Sequence, residues 1–589
     1  MKLVAISFAA MALAACATMG SGPMETAADT RFRAIYEAEW TWRQSLDPEE
    51  DEDTVDEDKA PQTWGRVDPA TQVERLTYMK GVMAKLDALD VNALSPKAQI
   101  NLSIYREQIA VRMSAIEFRE YEKPLNADST FWTGVASSAP KAFRSEAQAR
   151  SYIARLNDTP RYFADQVANM KRGLARGFTP PRVTLQGRAE SISAVYEGKT
   201  AAQSTFYEPF MALPLSIPAD KRAALQADAK AAIETKVFPA YRQLLPYFRD
   251  EYYPHTTTEL AATKLPDGYK YYAAQIREYT TLTESPEEIH QIGLAEVAKI
   301  RAEMAKVMKE VGFKGDLQAF LAFLRSDPQF YAKTPQELLW RAAWIAKKFD
   351  GKAKYYFGRL PRSRFAVVPV PDDIAPFYTA GRGGTGVYLV NTYNLPSRAL
   401  YSLPALTLHE SAPGHAFQMP LADEQEDMPE FRRKTYISAF GEGWALYCEK
   451  LGEEMGMYET PYEKFGMLSY QMWRAARLVV DTGIHAKGWT REQALAFFHE
   501  NTALADHEIS TEVDRYISWP GQALSYYLGE MAIVEARAKA EAALGAKFDL
   551  RWFHDTVLQL GSVPLPILSA RIDKWIADGG PDPYAKNQE

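Results

Sequence analysis

Two histidines and a glutamate lie within seven residues of each other in the segment HESAPGH, residues 409–415. Imidazole nitrogens and carboxylate oxygens are ligands that zinc takes in hydrolases, where three protein groups hold the ion and a fourth position is left for water. In the common motif H-E-x-x-H the two histidines are one helical turn apart. His409 and His415 are six residues apart, which on an unbroken helix would rotate one side chain by about 240° from the other.

The residues between the two histidines predict a break in the helix. Pro413 has no backbone N–H to donate, and its ring clashes with the carbonyl group four residues earlier, which is that of His409. Gly414 tolerates backbone angles that other residues avoid. We therefore expect a bulge or break that brings the imidazoles of His409 and His415 to one zinc ion per chain.

The third zinc ligand is predicted 27 residues after His415. Residues 437–451 have helical periodicity and carry Glu442 and Glu449 two turns apart, on one face. Glu442 is the candidate ligand. Glu449 is a candidate partner for the outer nitrogen of a ligating histidine, since such a hydrogen bond fixes the orientation of the ring. The alternative is a set of ordinary buried polar residues, although a dense cluster of this kind is costly to bury unless it is satisfied or binds a metal.

The elements that must position this cluster are mostly helices. The chain has 589 residues, 47% of them hydrophobic, so it exceeds the usual size of a single core and two lobes are expected. The segments SPEE at 285–288 and TPQE at 334–337 are typical helix starts. We predict a mainly α, bilobed fold with a central cleft and a small β-sheet beside the metal-binding helix. The predicted lobes are residues 30–280 and 281–589.

One strand is predicted shortly before the metal-binding segment. The run VYLVN, residues 387–391, is rich in β-forming residues and follows a loop with several glycines. That loop lacks the lysine and hydroxyl residue of a nucleotide-binding loop. An exposed strand edge would pair with an extended peptide through backbone hydrogen bonds. Asn391, at the end of the run, is therefore a candidate substrate-binding residue.

The N-terminus is predicted to be a lipoprotein signal peptide, residues 1–15. Lys2 supplies a positive charge, an apolar run follows, and the segment LAAC ending at Cys16 resembles the lipobox of bacterial lipoproteins. Cys16 is then the lipidated residue and 16–29 a flexible tether; the alternative is an ordinary signal peptide with an incidental cysteine. We expect an exported protein, lipid-anchored in the cell envelope. By the same resemblance Ala17 favours the outer membrane, facing the periplasm.

Charge and cysteine content exclude other classes of function. The net charge of −8 argues against nucleic acid as a partner, and two cysteines are too few for a disulfide framework. The acidic run at 47–60 is predicted to be a solvated loop rather than a calcium site, because like charges repel one another.

The sequence resembles a bacterial family known as domain of unknown function 885. The resemblance covers most of residues 30–580 and is carried by the segments SPEEIHQIGLAEVAKIRAEM, HESAPGHAFQ, GEGWALYCEKL, RLVVDTGIHAKGW and YISWPGQALSYYLGE. That family in turn resembles the gluzincin metallopeptidases, in which two histidines and a downstream glutamate bind zinc in a largely helical fold with a cleft. The resemblance implies that His409, His415 and Glu442 are ligands and that Glu410 is the general base. The spacing of the histidines is two residues longer than in gluzincins.

Further site residues are implied by the same resemblance, since gluzincins with a helical cleft use histidine and tyrosine to stabilise the oxyanion. The candidates are His485, Tyr526 and Tyr527; a satisfied structural role is the alternative for each. Arg477 and Arg515 are candidates for holding a substrate carboxylate in a bidentate manner, and a salt bridge to a structural acid is the alternative.

The predicted function is zinc-dependent hydrolysis of peptide bonds in short peptides by an exported, lipid-anchored enzyme. One alternative is another metal-dependent amide or ester hydrolase with the same site. The other is a non-catalytic peptide-binding lipoprotein. The expected partners are a peptide substrate and the membrane, reached through the lipid on Cys16.

Overall fold

The computed structural model describes residues 25–46, 61–372 and 375–585. The predicted signal peptide, Cys16 and the acidic loop 47–60 lie outside the described residues. The first helix begins at Ala27, so the end of the predicted tether 16–29 is helical.

The fold is mainly α, as predicted, with 70% of the residues in helices. The α-helices of the described residues are α1 (Ala27–Leu46), α2 (Pro69–Asp87), α3 (Pro96–Glu117), α4 (Phe131–Ser137), α5 (Glu146–Arg176), α6 (Arg188–Ser193), α7 (Glu208–Met211), α8 (Ala219–Ala232), α9 (Phe238–Pro246), α10 (Tyr253–His255), α11 (Gly268–Thr280), α12 (Pro286–Glu310), α13 (Leu317–Ser326), α14 (Pro335–Lys352), α15 (Leu403–Glu410), α16 (His415–Asp423), α17 (Glu430–Arg433), α18 (Ser438–Glu454), α19 (Pro461–Lys487), α20 (Arg491–Asn501), α21 (Asp506–Ser518), α22 (Ser525–Leu544), α23 (Leu550–Leu558) and α24 (Leu565–Ala577).

The two predicted helix starts are confirmed by their capping hydrogen bonds. Ser285 precedes α12 and accepts a hydrogen bond from the backbone N–H of Glu288, whose side chain bonds back to the serine. Thr334 precedes α14 and accepts from the N–H of Glu337. Each cap satisfies a donor that the first turn of a helix leaves free, and each is followed by a proline that needs no donor there.

The β-sheet is small and has three strands, β1 (Ala366–Pro369), β2 (Gly381–Gly384) and β3 (Val387–Val390). Their order is β1-β3-β2, with β3 parallel to β1 and antiparallel to β2. The expectation that the run ending at Asn391 offers an exposed edge is wrong, because β3 is paired on both sides. The edge strand beside the helices that carry His409 and His415 is β2, which contacts both α15 and α16.

The hydrophobic core of the described residues forms three clusters. One is confined to residues 125–252. The second joins helices α11–α13 to α15 and α19–α22. The third joins the first three helices to residues 332–575, so both ends of the chain share one core. The predicted lobe boundary at residue 280 stays a prediction, but the packing of α1–α3 crosses it.

Two glycines allow α18 and α22 to cross at close range. A Cβ atom on Gly529 would lie 1.9 Å from the carbonyl oxygen of Ala439, and a Cβ atom on Gly443 would lie 2.4 Å from the backbone of Gly529. Because α18 also carries Glu442 and Glu449, this contact fixes the position of the glutamates relative to the rest of the core.

No helix in the described ranges is long and apolar enough to cross a membrane.

We expect Gly529→Ala to lower the free energy of unfolding by about 1–3 kcal/mol, because the added methyl group forces two packed backbones apart. Urea denaturation followed by circular dichroism measures this. The matched control is Gly81→Ala on α2, where an added Cβ atom meets nothing within 4 Å and helix propensity favours alanine. Equal urea midpoints for Gly529→Ala and the unmodified protein would contradict the crossing described above.

Candidate metal centre

The segment HESAPGH is divided between two helices. Helix α15 ends at Glu410 and α16 begins at His415, so the predicted break lies between the histidines. The Ala412–Pro413 peptide bond is cis. Gly414 packs against the end of α15, where a Cβ atom would lie 1.8 Å from the carbonyl oxygen of His409. Only glycine fits at this position, and the tight turn returns the chain so that both histidines face the same point.

The two imidazoles and the carboxylate of Glu442 meet at that point. The ring centroids of His409 and His415 are 4.9 Å apart and their planes are nearly perpendicular, at 86°. Oε2 of Glu442 lies 3.4 Å from Nε2 of each ring. Ligand atoms at about 2.0–2.1 Å from a tetrahedral zinc ion lie about 3.3–3.4 Å from one another. The donor types and their spacing therefore fit a zinc ion held by His409, His415 and Glu442.

Glu410 lies beside these three groups. One of its carboxylate oxygens and ring nitrogens of His409 and His415 are all within 4.8 Å of one another. Its Oε2 accepts a hydrogen bond of 2.7 Å from the backbone N–H of Gly383 in β2. The carboxylate is thus held against the edge strand, next to the candidate metal position.

Glu449 contacts Nδ1 of His409, the ring nitrogen that does not face Glu442. Its Oε1 lies 2.8 Å from Nδ1 of His409 and 3.5 Å from Nη2 of Arg474, and the carboxylate is fully buried. With Nδ1 donating to Glu449, Nε2 is the nitrogen of His409 that faces Glu442 and that can bind a metal ion once it has lost its proton. The structure thus brings Glu449 into the contact that the sequence predicted for it.

The electrostatics of the cluster favour a positive charge between its members. Burial disfavours a charged His409, but hydrogen bonds to Glu442 and Glu449 outweigh burial and raise its pKa to about 10. Burial acts against ionised Glu442 too, yet His415 and His409 hold the pKa of this carboxyl well below its usual range. A divalent cation meets the same preference, and it must displace a proton from imidazole to bind.

Tyr436 is a site residue that sequence reasoning missed. Its hydroxyl donates a hydrogen bond of 3.2 Å to Oε1 of Glu442, and its ring lies 6.5 Å from that of His415. Tyr436 is 45% exposed as a whole, but desolvation around its hydroxyl and the charge of Glu442 raise the pKa of the phenol well above its usual value, so it stays protonated and able to donate. Gly441 makes room for the ring, since a Cβ atom there would lie 2.3 Å from it. The signal in the sequence that could have pointed to Tyr436 was its position, six residues before the candidate ligand Glu442.

The comparisons with known proteins agree with this arrangement of helices. The family model for DUF885, bacterial proteins of unknown function, matches residues 53–572. The chain belongs to the DUF885 family. A predicted lipoprotein from Colwellia psychrerythraea has a similar solved structure, with 25% sequence identity, a TM-score of 0.84, and coverage of 94% of this chain and 100% of that one.

A second solved structure has the same fold. It is a predicted lipoprotein of unknown function from Shewanella oneidensis, with 17% identity, a TM-score of 0.69, and coverage of 92% of this chain and 99% of that one. No curated protein is significantly similar to the chain.

His485 of this DUF885 protein is fully occupied by backbone groups. Its Nδ1 accepts a hydrogen bond of 3.0 Å from the N–H of Ala262, and its Nε2 lies 2.9 Å from the carbonyl oxygen of Tyr516, to which it donates. Burial lowers the pKa of His485 to about 4, so the ring is neutral. Neither nitrogen is free to stabilise an oxyanion, and these contacts correspond to the structural alternative.

The two tyrosines that were predicted, together with His485, to stabilise the oxyanion have different surroundings. Tyr527 donates a hydrogen bond of 2.8 Å to Glu296 on α12, which ties it to helix packing. Tyr526 lies under the guanidinium of Arg477, whose carbon is 4.3 Å from the ring centroid. Tyr526 also contributes to the raised pKa of Tyr436, so the two phenols are neighbours.

The two arginines and the asparagine are engaged within the protein. Arg477 forms a buried salt bridge of 2.8 Å with Glu512, and Arg515 lies 3.5 Å from the same carboxylate. The amide nitrogen of Asn391 donates to the carbonyl oxygens of residues 375, 378 and 379, and its oxygen accepts from the N–H of Tyr393. Arg477 and Arg515 therefore form salt bridges within the protein, which is the alternative stated for them. Asn391 holds the loop of residues 375–379 in place.

We expect Glu449→Gln to weaken zinc binding by about 10–100-fold, because a neutral amide orients His409 less firmly and leaves Arg474 without its carboxylate. Competition with a fluorescent zinc chelator measures the affinity. Glu453→Gln is the matched control, since Glu453 lies one turn later on the exposed side of α18 and pairs with Lys464. Unchanged affinity in Glu449→Gln would show that Glu449 does not support the metal ligands.

Proposed function

We propose that this DUF885 protein is a zinc-dependent hydrolase of peptide bonds in short peptides. The observation that carries the proposal is the position of Glu442, whose Oε2 is 3.4 Å from Nε2 of both His409 and His415, with Glu410 beside them. The resemblance to gluzincin metallopeptidases, noted from the sequence, supports the same chemistry.

Glu410 is the proposed general base. A zinc ion held by His409, His415 and Glu442 supplies a Lewis acid that lowers the pKa of water and polarises a carbonyl group. The carboxylate of Glu410 takes the proton from the attacking water and passes it to the nitrogen of the leaving amine. Its hydrogen bond with the N–H of Gly383 keeps the carboxylate facing the site while the proton is transferred.

Tyr436 is the proposed donor to the oxyanion. Attack on a peptide carbonyl places negative charge on oxygen, and a positioned O–H group stabilises that charge more than it stabilises the neutral substrate. The phenol lies against Glu442 and close to His415, and its raised pKa keeps its proton in place. This proposal gives Tyr436 the role for which the sequence had suggested His485, Tyr526 and Tyr527.

The edge strand β2 is the proposed docking strand for substrate. Within the described ranges no strand pairs with its other side, where the backbone N–H of Gly383 points to the carboxylate of Glu410 and not to β3. A peptide in extended conformation would bond to this edge through its own backbone. Backbone recognition of a few residues supports short peptides as the substrate class.

The proposed location is the cell envelope, with an N-terminal lipid on Cys16. The two solved structures described above are of predicted lipoproteins, and residues 13–16 resemble a lipobox. Anchoring in the outer membrane, facing the periplasm, is the finer part of this proposal and derives from Ala17.

Replacing Glu410 by glutamine tests the proposed reaction. We expect hydrolysis of a peptide library to fall about 10²–10⁴-fold, because the amide cannot accept a proton, while zinc content stays near that of the unmodified protein. The double variant His409→Ala/His415→Ala should lose both zinc and activity. Mass spectrometry of peptide products and elemental analysis of zinc provide the two readouts.

The control for Glu410 is Glu430→Gln, on the exposed surface of α17. Peptide hydrolysis that persists in Glu410→Gln would overturn the role of this residue. An absence of zinc in the unmodified protein after loading would overturn the metal centre. Cleavage of esters but not peptides would replace the proposed substrate class.

We expect Tyr436→Phe to lower kcat about 10²–10³-fold with little change in KM, because the lost hydrogen bond forms with charge that develops during the reaction. Steady-state kinetics measure both parameters, and the zinc content checks that Glu442 remains in place. Tyr393→Phe, at an exposed tyrosine, is the control. An equal kcat in Tyr436→Phe and the unmodified protein would rule out this donor.

A further inference from the structure

A cavity lies beside the start of α15, the helix that carries His409. Its volume is about 240 Å³, and α15 contributes Leu403 and Leu406 to its wall. These residues precede His409 by six and three positions, which places them about 5–9 Å away along the helix axis. Other walls come from the end of β3, from α19 and from the first turn of α21. The cavity is therefore close to the metal centre but is formed by different side chains.

The cavity has an open mouth and an apolar floor. Pro396, Ser397 and Asp506 line it and are exposed to solvent, so a small molecule can enter from that side. Val390 and Leu403 line it and are buried. The volume is smaller than the roughly 300 Å³ at which pockets for drug-sized ligands begin. A ligand of this site is small, and part of it is apolar.

Two opposite charges line the cavity without a direct salt bridge between them. Arg398 and Glu508 are in its wall, and among the described residues no direct salt bridge joins them or joins either to another residue, although each lies in the field of the other's charge. Nε of Arg398 is buried with no hydrogen-bond partner. Arg325, the other arginine of the wall, differs because its guanidinium donates to the backbone carbonyls of Leu321 and Leu504.

The next turn of α21 carries a glutamate, Glu512, whose charge is paired within the protein. Glu512, four residues after Glu508, bonds to Arg477 at 2.8 Å and accepts from the hydroxyl of Tyr516 at 2.6 Å. Glu508 forms no such direct bond among the described residues. Burial and the charge of Glu512 raise its pKa to about 7, against the opposing effect of nearby arginines. Burial likewise lowers the pKa of Arg398. Charges in this position are stabilised when a ligand supplies the opposite charges.

We propose that this cavity binds a free α-amino acid with an apolar side chain. Its carboxylate would pair with Arg398, whose guanidinium suits bidentate contact with a carboxylate. Its ammonium group would pair with Glu508, and its side chain would contact Val390, Leu403 and Leu406. The inference goes beyond the proposed hydrolase, since it requires neither the metal nor turnover.

Isothermal titration calorimetry with L-leucine tests this site on the purified full chain. We expect saturable binding of one leucine per chain. 4-Methylpentanoate lacks the ammonium group and 3-methylbutylamine lacks the carboxylate, so each should bind at least about tenfold more weakly. Arg398→Gln and Glu508→Gln should each weaken leucine binding by a similar factor. Arg341→Gln and Glu453→Gln, at exposed residues of α14 and α18, should leave it unchanged.

The same titration in His409→Ala/His415→Ala separates this site from the metal centre, because binding in the cavity should be retained there. Thermal melting confirms that each variant is folded. An absence of leucine binding, or equal binding of leucine and either half-ligand, would overturn the proposal. So would loss of leucine binding in the histidine double variant, which would place the amino acid at the metal centre. None of these outcomes depends on whether the protein hydrolyses peptides.

Discussion

The approach of one carboxylate oxygen to two imidazole nitrogens is the constraint on which the rest of this structure depends. One oxygen of Glu442 contacts a nitrogen of both His409 and His415. It can do so only because the two rings are held nearly at right angles around the same point. Groups of this kind are poorly tolerated in a protein interior when they are unpaired. The surrounding helices bring three side chains to one position and give two of them a second contact, His409 with Glu449 and Glu442 with Tyr436. Nδ1 of His415 is buried without a hydrogen-bond partner among the described residues.

Each of the three side chains is positioned by a different local contact. His415 is returned towards His409 by the turn at Gly414, where no side chain fits. Glu442 is positioned by α18, which is fixed by its glycine-mediated contact with α22. His409 is oriented by Glu449, and the charge of Glu449 is balanced by Arg474 on α19. The candidate metal centre thus depends on five helices, of which only α15 and α16 carry the histidine motif.

The amino-acid sequence predicted which side chains of the candidate centre meet better than it predicted their surroundings. His409, His415 and Glu442 stood out because few residue types can bind a metal ion, and the structure brings these three together. Tyr436 did not, since phenols are common in this chain and its place depends on the turn before α18. His485 has the right chemistry but meets two backbone groups, which local sequence does not reveal. The edge position of β2 likewise depends on strand order, which is set by tertiary packing.

The shared core of the two chain ends has a consequence for the order of folding. Helices α1–α3 bury their apolar faces against residues 332–575, which are synthesised last. The cluster within residues 125–252 needs no such wait, because its partners are near in sequence. Contacts between distant segments form slowly, since the intervening chain must first be ordered. We therefore expect helices α1–α3 to pack into their core only after residues 332–575 have been synthesised.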